Sequence, residues 1–501
     1  MRPDPVRKVA IVGGGTAGWI TAAAMVKLLP GTVKIVLIES DAIGTVGVGE
    51  ATIPQIRRLN MILGLDEDEF IRETKGTFKL GIEFVNWGQH GERYLHTFGD
   101  IGLPLAGLAF HHYWLKARAD GRAGSLWDYS LHQCAANGQK FGRLERVGQT
   151  GMTGLAYAYH FDAGLYAAYL RRYAEPRGVT RIEGRIERTE VNPANGFIDA
   201  VHLADGTRVD ADLFIDCSGF RGLLIGEALG VDYRDWSHWL PCNRAAAVPS
   251  ARTEPLLPYT RATAREAGWQ WRIPLQHRTG NGHVFCNSFT SDDEAIAVLM
   301  NGLDGEALAE PRLIGFQTGR REHFWFKNCV SIGLSSGFLE PLESTSIHLI
   351  QSNVSRLIEH FPDRGMNPAV VGEYNRLVGQ EYEAVRDFLI LHYKLNQRTD
   401  TEFWRACAAM DIPSSLQEKM ALFEEAGVIY RQPDDLFREA SWLQVMIGQN
   451  LMPKRYHPMA ERVSPEQLAQ FLASVKDIVG QAIDPLPTHA ETIRQIAEAR
   501  A

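Results

Sequence analysis

The chain has 501 residues, 45% hydrophobic and 22% charged, a balance that excludes disordered and fibrous classes and leaves room for two or three ordinary domains. Its formal charge of −8, from 52 basic and 60 acidic residues, lacks the basic footprint of a nucleic-acid binder and disfavours anionic membranes. No apolar run reaches the roughly 20 residues of a membrane helix, and six scattered cysteines without a CxxC pair suit reduced thiols in a cytoplasmic protein.

The first element is a β-branched run ending in glycines, VAIVGGGTAGW from Val9 to Trp19, followed by the helical ITAAAMVKLL. No signal peptide reads ahead of it. Gly13, Gly15 and Gly18 stand at the G-x-G-x-x-G positions, for a tight turn, a close approach to pyrophosphate, and helix-on-strand packing. Thr16 and Ala17 open a helix whose free N–H groups suit phosphate. A second strand, Val33 to Ile38, ends in Glu39, placed to accept hydrogen bonds from a ribose. The unit predicts nucleotide binding and does not separate FAD from NAD.

Gly44 to Pro54, which includes Ala51, is a glycine-dense loop before a helix. From Thr77 to Trp87, Phe78, Leu80, Ile82 and Phe84 alternate with Lys79, Gly81 and Glu83, which reads as a strand with a polar face. Leu95-His96-Thr97-Phe98-Gly99 follows. His111 and His112 are adjacent, so their side chains should diverge and hold no shared metal. Two more strands end in small-residue turns: Ala211 to Phe220, and Asn328 to Gly333 with Leu334 in the turn behind it. Three strand-then-glycine signals so far apart favour FAD over a compact nicotinamide domain. From Ile347 onward, four segments with 3.6-residue apolar periods read as helices covering a core.

Three segments then become specific: Thr77 to Trp87; Trp269-Gln-Trp271-Arg-Ile-Pro274; and Pro341-Leu-Glu343-Ser-Thr345-Ser346. Together with GGGTAGW, they resemble the flavin-dependent tryptophan-halogenase family from Val9 to about Pro458. The resemblance implies FAD, used as FADH₂, and a halide anion, chloride or bromide, oxidised to hypohalous acid. It implies Lys79 and Glu343 as catalytic groups and Thr345 and Ser346 as halide-binding N–H donors, Ser346 replacing a glycine common in the family. Gly13, Gly15, Thr16, Ala17, Gly18, Glu39, Ala51 and Leu334 would hold the cofactor. Trp269 and Trp271 would shape the flavin environment, and Gly44 to Pro54 would be a strap over the flavin. His96 and Phe98 would sandwich a small aromatic substrate.

The implied partners are a separate flavin reductase and that substrate, with no nucleic acid or membrane, and with a homodimer left open. Tryptophan-specific members grip the amino acid with late tyrosines and an acid; Phe437 to Met452 has no paired tyrosines, and Glu439 is its one acid. An indole-type aromatic is therefore expected, with free tryptophan a poor substrate. The alternatives are a flavin-dependent aromatic hydroxylase and a flavin-binding protein without turnover. The expected fold is α/β: a Rossmann-like FAD-binding module over 1–95, 150–235 and 320–350. A substrate module over 96–149, 236–319 and 351–501 ends in a mainly helical C-terminal region.

Overall fold

A computed structural model describes residues 4–43, 49–432 and 435–499. The chain forms two compact units, the first from residues 1–76, 161–243 and 315–383, the second from 77–160, 244–314 and 384–501.

The first unit is built on a six-stranded sheet in the order Trp325–Phe326, Cys329–Ser331, Leu213–Asp216, Lys8–Val12, Lys34–Glu39, Val179–Glu183. All neighbours are parallel except the short edge strand Trp325–Phe326. Val9, Ala10, Ile11 and Leu37 are fully buried, as continuous apolar runs in a covered parallel sheet should be. An antiparallel sheet of Arg208–Asp210, Ile198–Leu203 and Ile186–Val191 accompanies it.

The end of Leu213–Asp216 is tied down by its last residue. Asp216 is buried; its Oδ1 accepts from the Ser218 N–H and hydroxyl at 3.0 and 2.6 Å. Its Oδ2 accepts from the N–H groups of Leu224 and Ile225 at 2.8 and 2.9 Å. Its carbonyl takes the Ile332 N–H at 2.9 Å and the Ser335 hydroxyl. One side chain and one carbonyl thus satisfy six donors.

The second unit is built on a mixed sheet: Arg244–Ser250, Thr279–Phe285, Gly268–Pro274, Thr260–Arg265, Gly81–Val85 and Arg93–Thr97, with Arg312–Gly315 at the edge. Thr260–Arg265 and Gly81–Val85 pair in parallel. Helices follow, among them Ser414–Ala426, Glu439–Gly448, Pro465–Ile483 and His489–Glu498. The Lys79 segment is not one strand but two, Thr77–Lys79 and Gly81–Val85, and it has no solvated face: Lys79 and Glu83 are 0% and 4% exposed.

Among the described residues, no helix is long and apolar enough to cross a membrane, and no group of His, Cys, Asp or Glu is arranged to hold a metal. His111 and His112 do not diverge as expected. In the helix Phe110–Ala119 their ring centroids lie 4.2 Å apart. Each is held by hydrogen bonding, His111 to the Gly427 carbonyl at 2.7 Å and His112 by the His457 N–H at 3.2 Å.

Candidate active site

In the first unit the glycine loop is shaped by close approaches. Gly13 has φ +112°, and a Cβ there would meet the Cys217 carbonyl oxygen at 2.2 Å. A Cβ on Gly18 would meet the Gly13 oxygen at 1.8 Å. Gly15 differs, because a Cβ would meet nothing within 4 Å. The helix Thr16–Leu28 begins at Gly15 with no side-chain cap. Its first N–H groups are therefore free for an anion, beside open space. Ala17 lies against the turn at Gly333, where an added Cβ would come within 2.8 Å of the alanine methyl; Leu334 is the next residue, half-buried.

Glu39 ends its strand where expected but already has partners. Its carboxylate accepts from Arg181 Nε at 2.5 Å and from Trp19 Nε1 at 3.3 Å. Ala51 is buried on the short strand Gly49–Ala51. Burial and the nearby Asp162 carboxylate push the neighbouring Glu50 up to about 7. The segment Gly44 to Val48, the first part of the expected strap, lies outside the described residues.

Glu343 closes the helical turn Pro341–Glu343 and is 1% exposed. Ser344 follows with φ 58°, and the helix Ser346–Glu359 starts from Thr345 without a side-chain cap. The Thr345 hydroxyl is buried with no hydrogen-bond partner. An uncapped helix start with an idle hydroxyl is a good seat for a small anion or a cofactor oxygen.

The second unit contains Lys79, His96, Phe98, Trp269 and Trp271. Lys79 Nζ lies 5.3 Å from the Phe98 ring centroid, so its charge faces an aromatic surface. His96 is buried at the end of Arg93–Thr97, with Phe388 and Phe437 at 5.5 and 6.3 Å between centroids. Phe388 and Phe437 stack at 3.8 Å, and Trp442 meets Phe388 edge-on at 4.9 Å. This aromatic wall has no local sequence signal, because its members come from three distant segments.

Trp269 and Trp271 project from one face of Gly268–Pro274, ring centroids 6.2 Å apart. Trp271 stands opposite Gly282 in the ladder, and a Cβ on Gly282 would overlap the indole at 2.0 Å. Sequence reading also passed over His160 and His489. Both are fully buried, and both bond to the strand that carries Lys79.

A cavity of about 260 Å³ opens in this unit, lined by apolar residues such as Ile101, Leu103, Phe110, Met152 and Leu443. Asp100 and Glu439 stand at its polar edge, and among the described residues no lysine or arginine lines it. The polar side chains of the late segment are engaged elsewhere. Gln444 accepts from the Thr97 N–H at 2.9 Å and donates to the Thr97 carbonyl at 3.1 Å. Gln449 accepts from the Tyr94 hydroxyl at 3.1 Å and donates to the His392 carbonyl at 2.9 Å. Asn450 donates to Glu92 at 2.9 Å, and Glu439 accepts from Arg431 at 3.2 Å.

Comparison with known proteins agrees with this architecture over its whole length. The tryptophan-halogenase family model matches residues 8–465. A flavin-dependent halogenase from Xanthomonas campestris is 47% identical, with 99% of each chain covered and a TM-score of 0.96. BrvH, a flavin-dependent halogenase from Brevundimonas sp. BAL3, is 48% identical, with 98% of this chain and 99% of that one covered and a TM-score of 0.94. The tryptophan 7-halogenase RebH of Lentzea aerocolonigenes is 35% identical over 98% of both chains. The chain belongs to the tryptophan-halogenase family and is a flavin-dependent halogenase.

Proposed function

We propose that this halogenase acts on an electron-rich, uncharged aromatic of the indole type. It would use chloride or bromide, O₂, and FADH₂ delivered by a separate flavin reductase in the cytoplasm. The bound cofactor would supply, with O₂, the oxidation that converts halide to hypohalous acid. The first unit is the flavin module in this reading, and the second the substrate module.

The residues of the first unit fit such a cofactor. Open space at Gly15 and the uncapped helix behind it suit a pyrophosphate held by Gly13, Gly15, Thr16, Ala17 and Gly18. Glu39 would serve a ribose by sharing its carboxylate with Arg181 and Trp19. Leu334 and Ala51 would pack near the ring system, and Trp269 and Trp271 would hinder direct oxygenation of the organic substrate. The N–H groups at Thr345 and Ser346 would receive the halide; backbone donors serve that purpose whichever side chain position 346 carries.

Lys79 would hold the hypohalous acid by hydrogen bonding, or carry the halogen as a haloamine. Glu343 would orient the oxidant and take the ring proton once the halogen has added. His96 and Phe98 would face the arene, whose ring must stabilise positive charge.

The observation that supports an uncharged substrate is that Glu439, Gln444, Gln449 and Asn450 are all engaged within the protein, leaving no ready grip for an amino acid's charged end. A free amino acid would enter with its charged groups poorly paired, a desolvation penalty a small ring does not offset. Indole and tryptophan competing at equal concentration, with halogenated products counted by mass spectrometry, tests this directly. Indole product should dominate; a clear excess of halotryptophan overturns the reading.

A further inference from the structure

The strand Thr77–Lys79 has only three residues, and its anchors come from distant parts of the second unit. The Thr77 hydroxyl donates to the Pro274 carbonyl at 2.7 Å and lies 2.9 Å from His160 Nδ1. A hydroxyl has one proton to give, so the second bond must run from His160 Nδ1–H to the threonine oxygen. Nε2 then carries the lone pair and accepts from the Thr260 hydroxyl at 2.9 Å.

A second histidine repeats the arrangement on the backbone. The Phe78 N–H donates to His489 Nε2 at 3.1 Å. The proton of His489 therefore sits on Nδ1, which donates to the Leu256 carbonyl at 2.9 Å. The Leu80 N–H donates to the Pro258 carbonyl at 2.7 Å. Leu256, Pro258 and Thr260 thus supply anchors at every second residue of one segment. Both imidazoles are fully buried. Burial, reinforced by the Lys79 charge, holds His160 neutral.

We propose that His160 and His489 are positioning residues for halogenation, each locked as the Nδ1–H tautomer. They hold the lysine strand by one side chain and one backbone N–H, and influence the reaction only through Lys79. The proposal rests on the reading of Lys79 as the catalytic lysine. It assigns a task to two residues that touch neither halide nor arene.

Paired substitutions in the full chain separate positioning from bulk. His160→Asn keeps a donor where Nδ1 stands, and His489→Gln keeps an acceptor where Nε2 stands; His160→Leu and His489→Leu keep volume alone. Each variant is supplied with FAD, a reductase, NADH, bromide and indole, and bromoindole and hydrogen peroxide are measured together with thermal unfolding. In the leucine variants the ratio of bromoindole to peroxide should fall by at least about tenfold while NADH consumption is unchanged, since small misplacements of a reacting group cost that much or more. The asparagine and glutamine variants should keep the ratio within about threefold.

Leucine variants with a wild-type ratio overturn the proposal, as do polar variants that lose as much as the leucine ones. Should the leucine variants fail to fold, Thr260→Val decides: it strips the donor from His160 Nε2 and should lower the ratio about threefold, and a wild-type ratio overturns the proposal. Lys79→Ala runs in parallel. If it brominates at the wild-type rate, the catalytic reading of the lysine falls. If it is inactive beside fully active leucine variants, only the positioning role falls.

Discussion

The glycine loop and the lysine strand are built in opposite ways. Gly13, Gly14 and Gly18 are shaped by Ile38, Glu39 and one another, with one more distant neighbour at Cys217. Thr77 and Phe78 are held by residues 83 and 411 positions away. A locally built feature can be broken only where it stands. A remotely built one fails at every anchor, and its functional residue can look ordinary in its own segment.

The largest effect expected is at the lysine. Lys79→Ala should cut halogenation by about 10³-fold or more, the scale of losing a group that carries the reacting atom. Flavin oxidation and peroxide release should continue, so mass spectrometry of the product and a peroxide assay should diverge. A wild-type halogenation rate would remove the lysine from the mechanism.

Glu343→Gln comes next. It keeps much of the hydrogen bonding and removes the base, and should slow product formation by about 10²-fold without stopping it. The glutamine enzyme should still bind halide, measured as protection from thermal unfolding by bromide, because the N–H groups at the helix start are untouched.

The glycines sharpen the comparison from the other side. Gly13→Ala forces a Cβ against a backbone oxygen at a positive φ and should destabilise the fold by about 3 kcal/mol. Gly15→Ala meets nothing, so its unfolding temperature should match wild type while FAD affinity falls. Equal losses of stability at the two positions would contradict the geometry.

A further effect concerns acid and appears only at low pH. Burial pushes His489 down to about 4, whereas in the unfolded chain it titrates near 6.5. Between those values the unfolded state binds more protons. The stability held by neutral His489 is therefore complete above pH 6.5 and is lost as pH falls toward 4. In urea unfolding, the advantage of wild type over His489→Gln should shrink by about 1.4 kcal/mol per pH unit across that window and stay flat above it. An advantage that grows on acidification would mean the ring is charged when folded.

Legibility in the sequence followed the same local-versus-remote division. The glycine loop could be read as strand, turn and helix because the three are contiguous. The Trp269 and Trp271 strand could be read from its two-residue period. Lys79 could not be placed by pattern, since alternation implied a wet face and the strand turns out to be covered on both. Its proposed role rests on the family resemblance instead.

The helix Glu439–Gly448 showed no apolar period because Trp442, Leu443, Gln444, Val445 and Met446 are all buried in succession. The helix His489–Glu498 had a usable signal that went unread, the capping box of Thr488 and Glu491. The boundary expected at 350 lies at 383, because Ser346–Glu359 packs with the first unit. The hydroxylase and no-turnover alternatives, open from motifs alone, give way to the family match over residues 8–465.

Asp216 carries a consequence for how the first unit opens. Its carboxylate and carbonyl tie the amides of Leu224, Ile225 and Ile332 to one buried residue at a strand end. Moving Asp216 withdraws the acceptors of all three amides together. They should therefore exchange with deuterium as a single cooperative event, with one opening free energy shared by segments more than a hundred residues apart. A common exchange rate would mark the floor of the first unit as one kinetic unit, observable in the protein before any ligand is added.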